Sequence, residues 1–531
     1  MKKKLLVICA SLIALGGINP DSGIASLNSF NKGGRVVIYS QEEPQSLSPL
    51  FNVSDSAKSI YNMIYSGLVR VDDSFHHYAD LAVFVPTAEN RGVVETEEGM
   101  IVTYKLKDTA FWHDGVPVTS DDIIFTWQSY KNPNIQKVSQ ENLDGYQKIY
   151  KIEAPDAKTV KIYFSEKYEK YNDLFRYVLP KHGYIPKTLL AINDKHPFNF
   201  KPIGSGPFKF IEWKKGKRIV VDVNDRYYKA KPYLDQIVYN YGKFDKNVIN
   251  DLEKGSIHIY QPNNPDSRKL IENVKGVENF IITGLEMEEL AFNMDKNELK
   301  DINVRKAIIH SINKDKVASM FPEVQNSYSD THPTSSIYDT KMRDVFIYDM
   351  KKSQYLLDSS GWIIDEKDGL RKKNGQILEL NLLTTDSGIH NAFSEHLKEN
   401  MSYLGIKVNV NKTNDMLASS LANNYDLALY KKNIAIDGTD RAKYLSSNFI
   451  APKGFNYSRF NDSRLNSVFN NPNKIDNIDA QRFVSDVLRE ELPVIPLYNY
   501  TKDIAVSSRV NNFRPNMVEG NTWNSTEWWV N

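Results

Sequence analysis

Cysteine is almost absent from this sequence of 531 residues, because Cys9 is the only one. It lies in the apolar segment Leu5–Leu15, which follows three consecutive lysines. A basic segment, a short apolar run and small residues at Gly23 and Ala25 are typical of a cleavable secretory signal peptide. We therefore predict removal of residues 1–25 by cleavage after Ala25. The remaining chain would then have no disulfide, no thiolate metal ligand and no cysteine nucleophile.

Long hydrophobic runs are missing as well. The apolar part of the predicted signal peptide has about 11 residues, where a membrane-spanning helix needs about 20. No longer run follows it. The bulky Ile8 precedes Cys9 at a position where a lipoprotein site requires a small residue. We therefore predict an exported protein without a membrane anchor that is not a lipoprotein, and the periplasm is its simplest location.

No charge sign dominates the composition. Without residues 1–25, the chain has 64 basic and 65 acidic side chains. Nucleic-acid binding requires a concentrated basic surface, so no nucleic-acid partner is predicted. The sequence has no His-Glu-x-x-His zinc motif, no Gly-x-Ser-x-Gly nucleophile elbow and no dinucleotide glycine fingerprint. These absences leave a Ser/His/Asp triad open, because its members need only meet in space.

The most informative feature that is present is the segment Phe111–Asp122. Asp114-Gly115 suits the positive φ angles of a tight turn. Thr119 or Ser120 can cap a following helix, whose first turn carries two aspartates that suit the helix dipole. The segment predicts a strand end, a turn and a capped amphipathic helix.

Short strands and amphipathic helices alternate along the rest of the chain, which predicts a mixed α/β protein. The predicted strands are 35–40, 100–106, 159–164, 218–223, 236–241 and 407–410. The predicted helices are 56–68, 303–320, 348–359 and 392–404. Roughly 506 residues exceed what one hydrophobic core usually holds, so two or three domains are expected. No linker divides the chain, which favours discontinuous domains.

Several segments, in order along the chain, resemble bacterial extracellular solute-binding proteins of family 5, the peptide- and nickel-type receptors of ABC importers. Besides Phe111–Asp122, they are Glu43–Pro49, Ile60–Leu68, Gly204–Lys209, Val304–Ala307, Leu356–Trp362, Leu404–Val408 and Leu492–Tyr498. The resemblance is greatest to oligopeptide-binding proteins. It implies an α/β, two-lobed periplasmic binding protein fold of type II, in the large peptide-binding subclass, with a hinged cleft. The expectation of a binding protein that is not an enzyme and has no cofactor comes from this resemblance.

The resemblance also implies three discontinuous domains. Domain I combines residues 26–65, 200–285 and 500–531. Domain II is an insertion at 66–199, and domain III is the second lobe at 286–499. The crossings near Leu285 and Tyr500 are the predicted hinges.

Peptide ligands of this family pair with protein backbone inside the cleft, and two stretches correspond to these backbone partners. The first is Asn52, Val53, Ser54 and Asp55, and the second is Glu286, Met287, Glu288 and Glu289. Glu286 and Glu288 alternate along a strand, so both can point into the cleft and favour a cationic ligand. The alternative is that they are solvated charges on an open strand edge.

The resemblance further implies a carboxylate that binds the α-ammonium group of the peptide. Asp437 corresponds best to that carboxylate, with Asp440 in reserve. The segment departs from the family pattern, because its tryptophan is absent and Arg441 replaces the usual proline. A helix-capping or solvated role for Asp437 therefore stays open.

The expected partners are an oligopeptide ligand and an inner-membrane ABC permease with its ATPase, and the protein is expected to be a monomer. A receptor for a metal chelate, haem or another small solute on the same fold is one alternative. A peptide sensor or chaperone is another. No metal site is predicted, because neither His76-His77 on a strand nor His390 and His396 on a helix share one face.

Overall fold

The computed structural model describes residues 32–51, 54–132, 140–184, 194–243, 246–475 and 477–531. The predicted signal peptide and the candidate residues Asn52 and Val53 lie outside these ranges. The α-helices are α1 Asp55–Ile64, α2 Ser120–Tyr130, α3 Gln140–Gln147, α4 Lys181–Tyr184, α5 Lys246–Lys254, α6 Pro265–Ile271, α7 Asn297–Lys300, α8 Ile302–His310, α9 Lys314–Ala318, α10 Met350–Ser359, α11 Gly388–Tyr403, α12 Met416–Ser420, α13 Arg441–Leu445, α14 Ser463–Phe469, α15 Pro472–Ile475 and α16 Ile478–Glu491. None of the helices in these ranges is long and apolar enough to span a bilayer.

The strands are β1 Arg35–Ser40, β2 Val69–Val71, β3 His77–Ala79, β4 Val93–Thr96, β5 Gly99–Lys105, β6 Ile149–Asp156, β7 Thr159–Phe164, β8 Phe208–Lys214, β9 Arg218–Val223, β10 Gln236–Tyr241, β11 Ile259–Tyr260, β12 Val277–Phe292, β13 Val324–Asn326, β14 Ile363–Ile364, β15 Arg371–Lys373, β16 Gln376–Ile377, β17 Glu379–Thr384, β18 Lys407–Lys412, β19 Leu427–Asn433, β20 Val494–Ser507, β21 Val510–Asn511 and β22 Trp529–Val530. Short 3₁₀ helices lie at Glu169–Asp173, Pro197–Asn199, Lys341–Phe346, Ser447–Phe449 and Ser525–Glu527.

The largest sheet has the strand order β18-β17-β19-β12-β20-β11-β1-β10-β9-β8, and β13 also pairs with β20. The two longest strands, β12 and β20, run antiparallel through its middle. A separate four-stranded sheet, β4-β5-β7-β6, belongs to the segment predicted as an insertion. The two long strands therefore join the halves of the large sheet.

Buried hydrophobic residues form separate cores toward the two ends of the paired strands β12 and β20. One core includes Tyr61, Trp112 and Trp528, so the tryptophan-rich chain end packs back onto the first part of the chain. Another core includes Phe292 and Trp362 and is built from residues between Leu290 and Tyr498. The proposed division into three domains stays a prediction.

The strands predicted at 35–40, 159–164, 218–223 and 236–241 are present with the predicted limits. The single helix predicted at 303–320 is wrong. Asn313 interrupts it, because its side chain accepts a hydrogen bond from the Lys316 N–H (3.1 Å) and caps α9. Side chains of this kind compete with backbone hydrogen bonds inside a helix.

The helix predicted at 56–68 ends four residues early, at Ile64. The turn glycines Gly204 and Gly206 pack closely against this end, and Gly206 N–H donates to the Ile64 carbonyl (2.8 Å). A Cβ atom at Gly204 would lie 1.8 Å from the same oxygen. Only glycine fits at position 204, so this glycine allows the turn to pack closely against the end of α1.

Candidate functional site

A cavity of about 550 Å³ lies where β12 and β20 pass beside β1 and α1. Its wall combines aromatic side chains with charged groups of both signs. The aromatic residues are Tyr39, Tyr239, Tyr500, Phe513 and Trp528, and the charged residues are Glu42, Asp55, Lys58, Arg268, Glu286, Glu323 and Lys502. The size is in the range of sites that hold small organic ligands.

Two residues of the first predicted stretch lie at the start of α1. Ser54 caps the helix, because its hydroxyl accepts a hydrogen bond from Ala57 N–H (3.3 Å). Asp55 lines the cavity and forms an ion pair with Lys502 of β20. Burial raises the pKa of Asp55, but the Lys502 ammonium outweighs it and holds the pKa below its usual value. Asp55 is therefore an ionised cavity residue with an internal partner.

The second predicted stretch is not an open strand edge. Met287, Glu288 and Glu289 of β12 pair with β19 on one side and with β20 on the other, so their backbone ladder is occupied. The expectation that a ligand pairs with this stretch is wrong for these three residues. The residues just before them differ, since Gly284–Glu286 lie in a register shift opposite Tyr500 and have no ladder partner on β20.

Glu286 and Glu288 do not enter the cavity together, which corrects the prediction for Glu288. Glu286 lines the cavity, is about half exposed and pairs with Lys431 (2.8 Å). Glu288 is 1% exposed. Its carboxylate accepts a hydrogen bond from Tyr500 Oη (2.6 Å) and lies 2.8 Å from His390 Nε2. Tyr500 and α11 cover the Glu288 side chain, so Glu288 neither points into the cleft nor is a solvated charge.

Asp437 and Asp440 lie outside the cavity wall, in the turn between β19 and α13. Asp437 is exposed and accepts hydrogen bonds from Thr439 N–H (3.1 Å) and Thr439 Oγ1 (2.8 Å). It also contacts Lys170 Nζ of the predicted insertion, at 3.4 Å. Asp440 is half-buried, and burial raises its pKa. Their proposed role toward a ligand ammonium group stays a prediction.

Arg441, which replaces the usual proline of the family pattern, has a structural role in this segment. Its guanidinium is buried and forms a bidentate ion pair with Asp330 (2.6 and 2.8 Å). It also donates to the Gln481 carbonyl and to Ser485 Oγ, both at 2.6 Å. The arginine therefore fixes α13 against α16 and has no free donor face toward the cavity.

Sequence reasoning missed several cavity residues, of which Arg268 is the most connected. It is 8% exposed and reaches from α6 to Thr501 and Asp503 of β20. Lys502 and Trp528 also went unassigned as cavity residues. The local pattern around Arg268 is that of an ordinary capped helix, so no sequence pattern marks it.

The comparison with known families bears directly on this architecture. The model of "Bacterial extracellular solute-binding proteins, family 5 Middle" matches residues 86–456, which is more than half of the chain. The chain belongs to this family. It is thus a binding protein of a transport system and not an enzyme, as predicted.

The similarity extends over the full length of the chain. Oligopeptide-binding protein AppA of Bacillus subtilis (strain 168) is 26% identical over 561 aligned positions, covering 100% of this chain and 98% of AppA. The structure of Bacillus subtilis AppA in complex with a nonapeptide matches with a TM-score of 0.62 at 22% identity, covering 95% of this chain and 100% of that one. The resemblance to oligopeptide-binding proteins is confirmed.

Two further structures share the fold at low identity. HbpA2 from Haemophilus parasuis matches with a TM-score of 0.79 at 16% identity, covering 94% of this chain and 100% of HbpA2. NikZ from Campylobacter jejuni in complex with Ni(L-His) matches with a TM-score of 0.61 at 22% identity, covering 93% of this chain and 99% of NikZ. The predicted α/β, two-lobed binding-protein fold is confirmed.

Proposed function

We propose that this family member captures oligopeptides in the cavity between its lobes and delivers them to a membrane ABC permease. The observation that carries the proposal is the cavity of about 550 Å³ where β12 and β20 pass beside β1 and α1. The full-length similarity to AppA supports a peptide as the ligand. We also propose export to the periplasm by cleavage after Ala25, and a monomeric receptor without a lipid anchor.

The cavity wall suits a zwitterionic ligand with a peptide backbone. Gly284–Glu286 present backbone groups that are not engaged with β20, so an extended ligand can pair there. The register shift thus leaves a short unpaired stretch on the β20 side of β12, while Glu286 still pairs with Asn433 of β19 on the other side. Acidic and basic groups lie on the same wall, which suits a ligand that carries both charges.

We propose that Asp437, with Asp440 beside it, receives the α-ammonium group of the peptide when the lobes close. Lys170 Nζ already lies 3.4 Å from Asp437, so this region attracts a cation. A ligand ammonium would compete with Lys170 for the same carboxylate. The proposal therefore predicts that Lys170→Ala tightens peptide binding, whereas Asp437→Ala weakens it.

A metal-chelate receptor is the second candidate. The cavity wall has three basic side chains, Lys58, Arg268 and Lys502, but Arg268 already pairs with Asp503 and Lys502 with Asp55. NikZ, which shares the fold, is solved with Ni(L-His). Within the part of the chain that the structure describes, no three His, Asp or Glu side chains are arranged to hold a bare metal ion.

Equilibrium dialysis decides between the two candidates. The mature protein, unfolded and refolded to remove carried ligand, is dialysed against a synthetic library of short peptides or against Ni(L-His). Retention of peptides, identified by mass spectrometry and displaced by excess library but not by the chelate, supports peptide transport. Saturable retention of the chelate with no retained peptide would contradict it.

A further inference from the structure

One carboxylate of the cavity wall, that of Glu323, has no cationic partner in the protein. Two other acidic residues of the wall do, since Asp55 forms an ion pair with Lys502 and Glu286 pairs with Lys431 (2.8 Å). Among the residues that the structure describes, no Lys, Arg or His nitrogen lies within 4 Å of the Glu323 carboxylate. Its Oε2 atom is buried, and no described group donates a hydrogen bond to it. The protein therefore leaves the charge of this half-buried side chain unbalanced.

The backbone at Glu323 is held in place by β20. The Glu323 carbonyl accepts a hydrogen bond from Thr501 N–H (2.7 Å). Val324, the next residue, begins β13 and pairs with Tyr500. Thr501 and Tyr500 both line the cavity, as Glu323 does. Pairing with β20 therefore keeps Glu323 beside two other residues of the cavity wall.

Arg268 contacts the residue before Glu323, but its guanidinium is engaged elsewhere. It donates to the Thr501 carbonyl (2.6 Å), to Asp503 Oδ1 (3.1 Å) and to the Pro322 carbonyl (3.3 Å). Charge-assisted hydrogen bonds of this kind are stronger than neutral ones, so a turn of the guanidinium toward Glu323 would cost contacts that it already makes. Arg268 therefore balances Asp503 and not Glu323.

The surroundings of Glu323 add further negative charge. Burial raises the pKa of the Tyr500 hydroxyl, and three carboxylates raise it further, those of Glu288, Glu286 and Glu323. All three therefore act on the same part of the cavity wall. Water screens charges less in a partly buried site than at an open surface, so a ligand cation would be attracted strongly here.

We propose that Glu323 is a specificity-determining residue that binds a cationic group of the ligand. The inference rests on the proposed function, because the ligand is taken to be a peptide. A peptide supplies a protonated nitrogen either from a lysine or arginine side chain or from its α-ammonium group, and both form charge-assisted hydrogen bonds with a carboxylate. Because Asp437 is the proposed partner of the α-ammonium group, we expect Glu323 to select a basic side chain.

Equilibrium dialysis of the refolded mature protein against three synthetic pentapeptide pools tests the proposal. The first pool contains one lysine per peptide, the second has norleucine in its place, and the third is the lysine pool with acetylated N-termini. Glu323→Gln keeps the size of the side chain and removes its charge. Glu399→Gln is the matched control, because Glu399 is an exposed residue of α11 that pairs with Lys316 (2.9 Å) and does not line the cavity.

The parent and Glu399→Gln should bind the lysine pool about tenfold more tightly than the norleucine pool, whereas Glu323→Gln should bind both pools equally. Glu323→Ala should lose the preference in the same way, so the test does not depend on one variant. If the α-ammonium group is the cation instead, acetylation should weaken binding to the parent about tenfold and leave binding to Glu323→Gln unaffected. Either result supports Glu323 as the residue that binds a ligand cation.

Equal binding of all three pools by the parent, or preferences that Glu323→Gln and Glu323→Ala leave unchanged, would overturn the proposal. Peptide binding, and with it the proposed function, would still stand in that case. Retention of none of the pools by the parent would refute the proposed function and this inference together.

Discussion

His113 provides the sharpest test of how two family segments hold together. Its ring lies between the turn glycines: Gly204 N–H donates to His113 Nδ1 (3.1 Å), and His113 Nε2 donates to the Gly206 carbonyl (3.1 Å). One nitrogen accepts and the other donates, so only the neutral ring satisfies both contacts. Burial lowers the pKa of His113 to about 4. Protonation would remove the acceptor for Gly204.

The sign of the pH effect follows from this depressed pKa. An unfolded histidine has a pKa of about 6.5, so the unfolded chain binds the proton first as the pH falls. The stability that depends on neutral His113 is present above about pH 6.5 and is lost as the pH falls toward 4. Full protonation lowers the free energy of unfolding by about 3.4 kcal/mol, which is an upper limit because the ring is partly solvated, and about 2.5 kcal/mol of this is lost by pH 4.5.

Urea unfolding at pH 7 and pH 4.5, followed by far-UV circular dichroism, measures this loss. Burial also lowers the pKa of His310, His332 and His396, so the measurement compares the loss of unfolding free energy in the parent protein with the loss in His113→Gln. The variant should lose about 2.5 kcal/mol less between the two pH values. His76→Gln is the control, since the His76 side chain is 82% exposed. Equal losses in the parent and His113→Gln would refute the reasoning.

Three further predictions concern the candidate site and its surroundings. Asp437→Ala should weaken peptide binding about tenfold, or about 1.4 kcal/mol, in calorimetric titration, and unchanged affinity would reject the ammonium role. Arg441→Met should lower the free energy of unfolding by about 3–5 kcal/mol, because it leaves the buried Asp330 carboxylate without its partner. Protection from hydrogen exchange in α13 and α16 should fall, and unaltered exchange would contradict this prediction. N-terminal sequencing of the exported protein should begin at Ser26, and a retained Lys2 would exclude cleavage.

Local pattern predicted the strands well because their signal is local. Thr159–Phe164 and Arg218–Val223 alternate buried and exposed side chains or are rich in β-branched residues, and both strands have the predicted limits. The helix predicted at 303–320 failed because hydrophobic spacing continues across Asn313, whose side chain begins a new helix instead. Hydrophobic periodicity alone does not reveal a side chain that caps a new helix.

The candidate site was less accessible to sequence reasoning, because its contacts join distant parts of the chain. Glu288 and His390 are 102 residues apart, and Arg268 and Thr501 are 233 apart. The alternation of Glu286 and Glu288 was recognised, but the residues that cover Glu288 could not be inferred from it. The hinges near Leu285 and Tyr500 stay a prediction from the family resemblance, and the two residues lie at the register shift between β12 and β20.

Native mass spectrometry of the mature protein, purified gently from a peptide-rich lysate, tests the central claim most directly. We expect a spread of adduct masses that fragment as short peptides. Denaturation and refolding should remove these adducts, and a synthetic peptide library should restore them. A single discrete adduct that does not fragment as a peptide, with or without a metal, would contradict the peptide assignment and indicate a specialised small-solute receptor on the same fold.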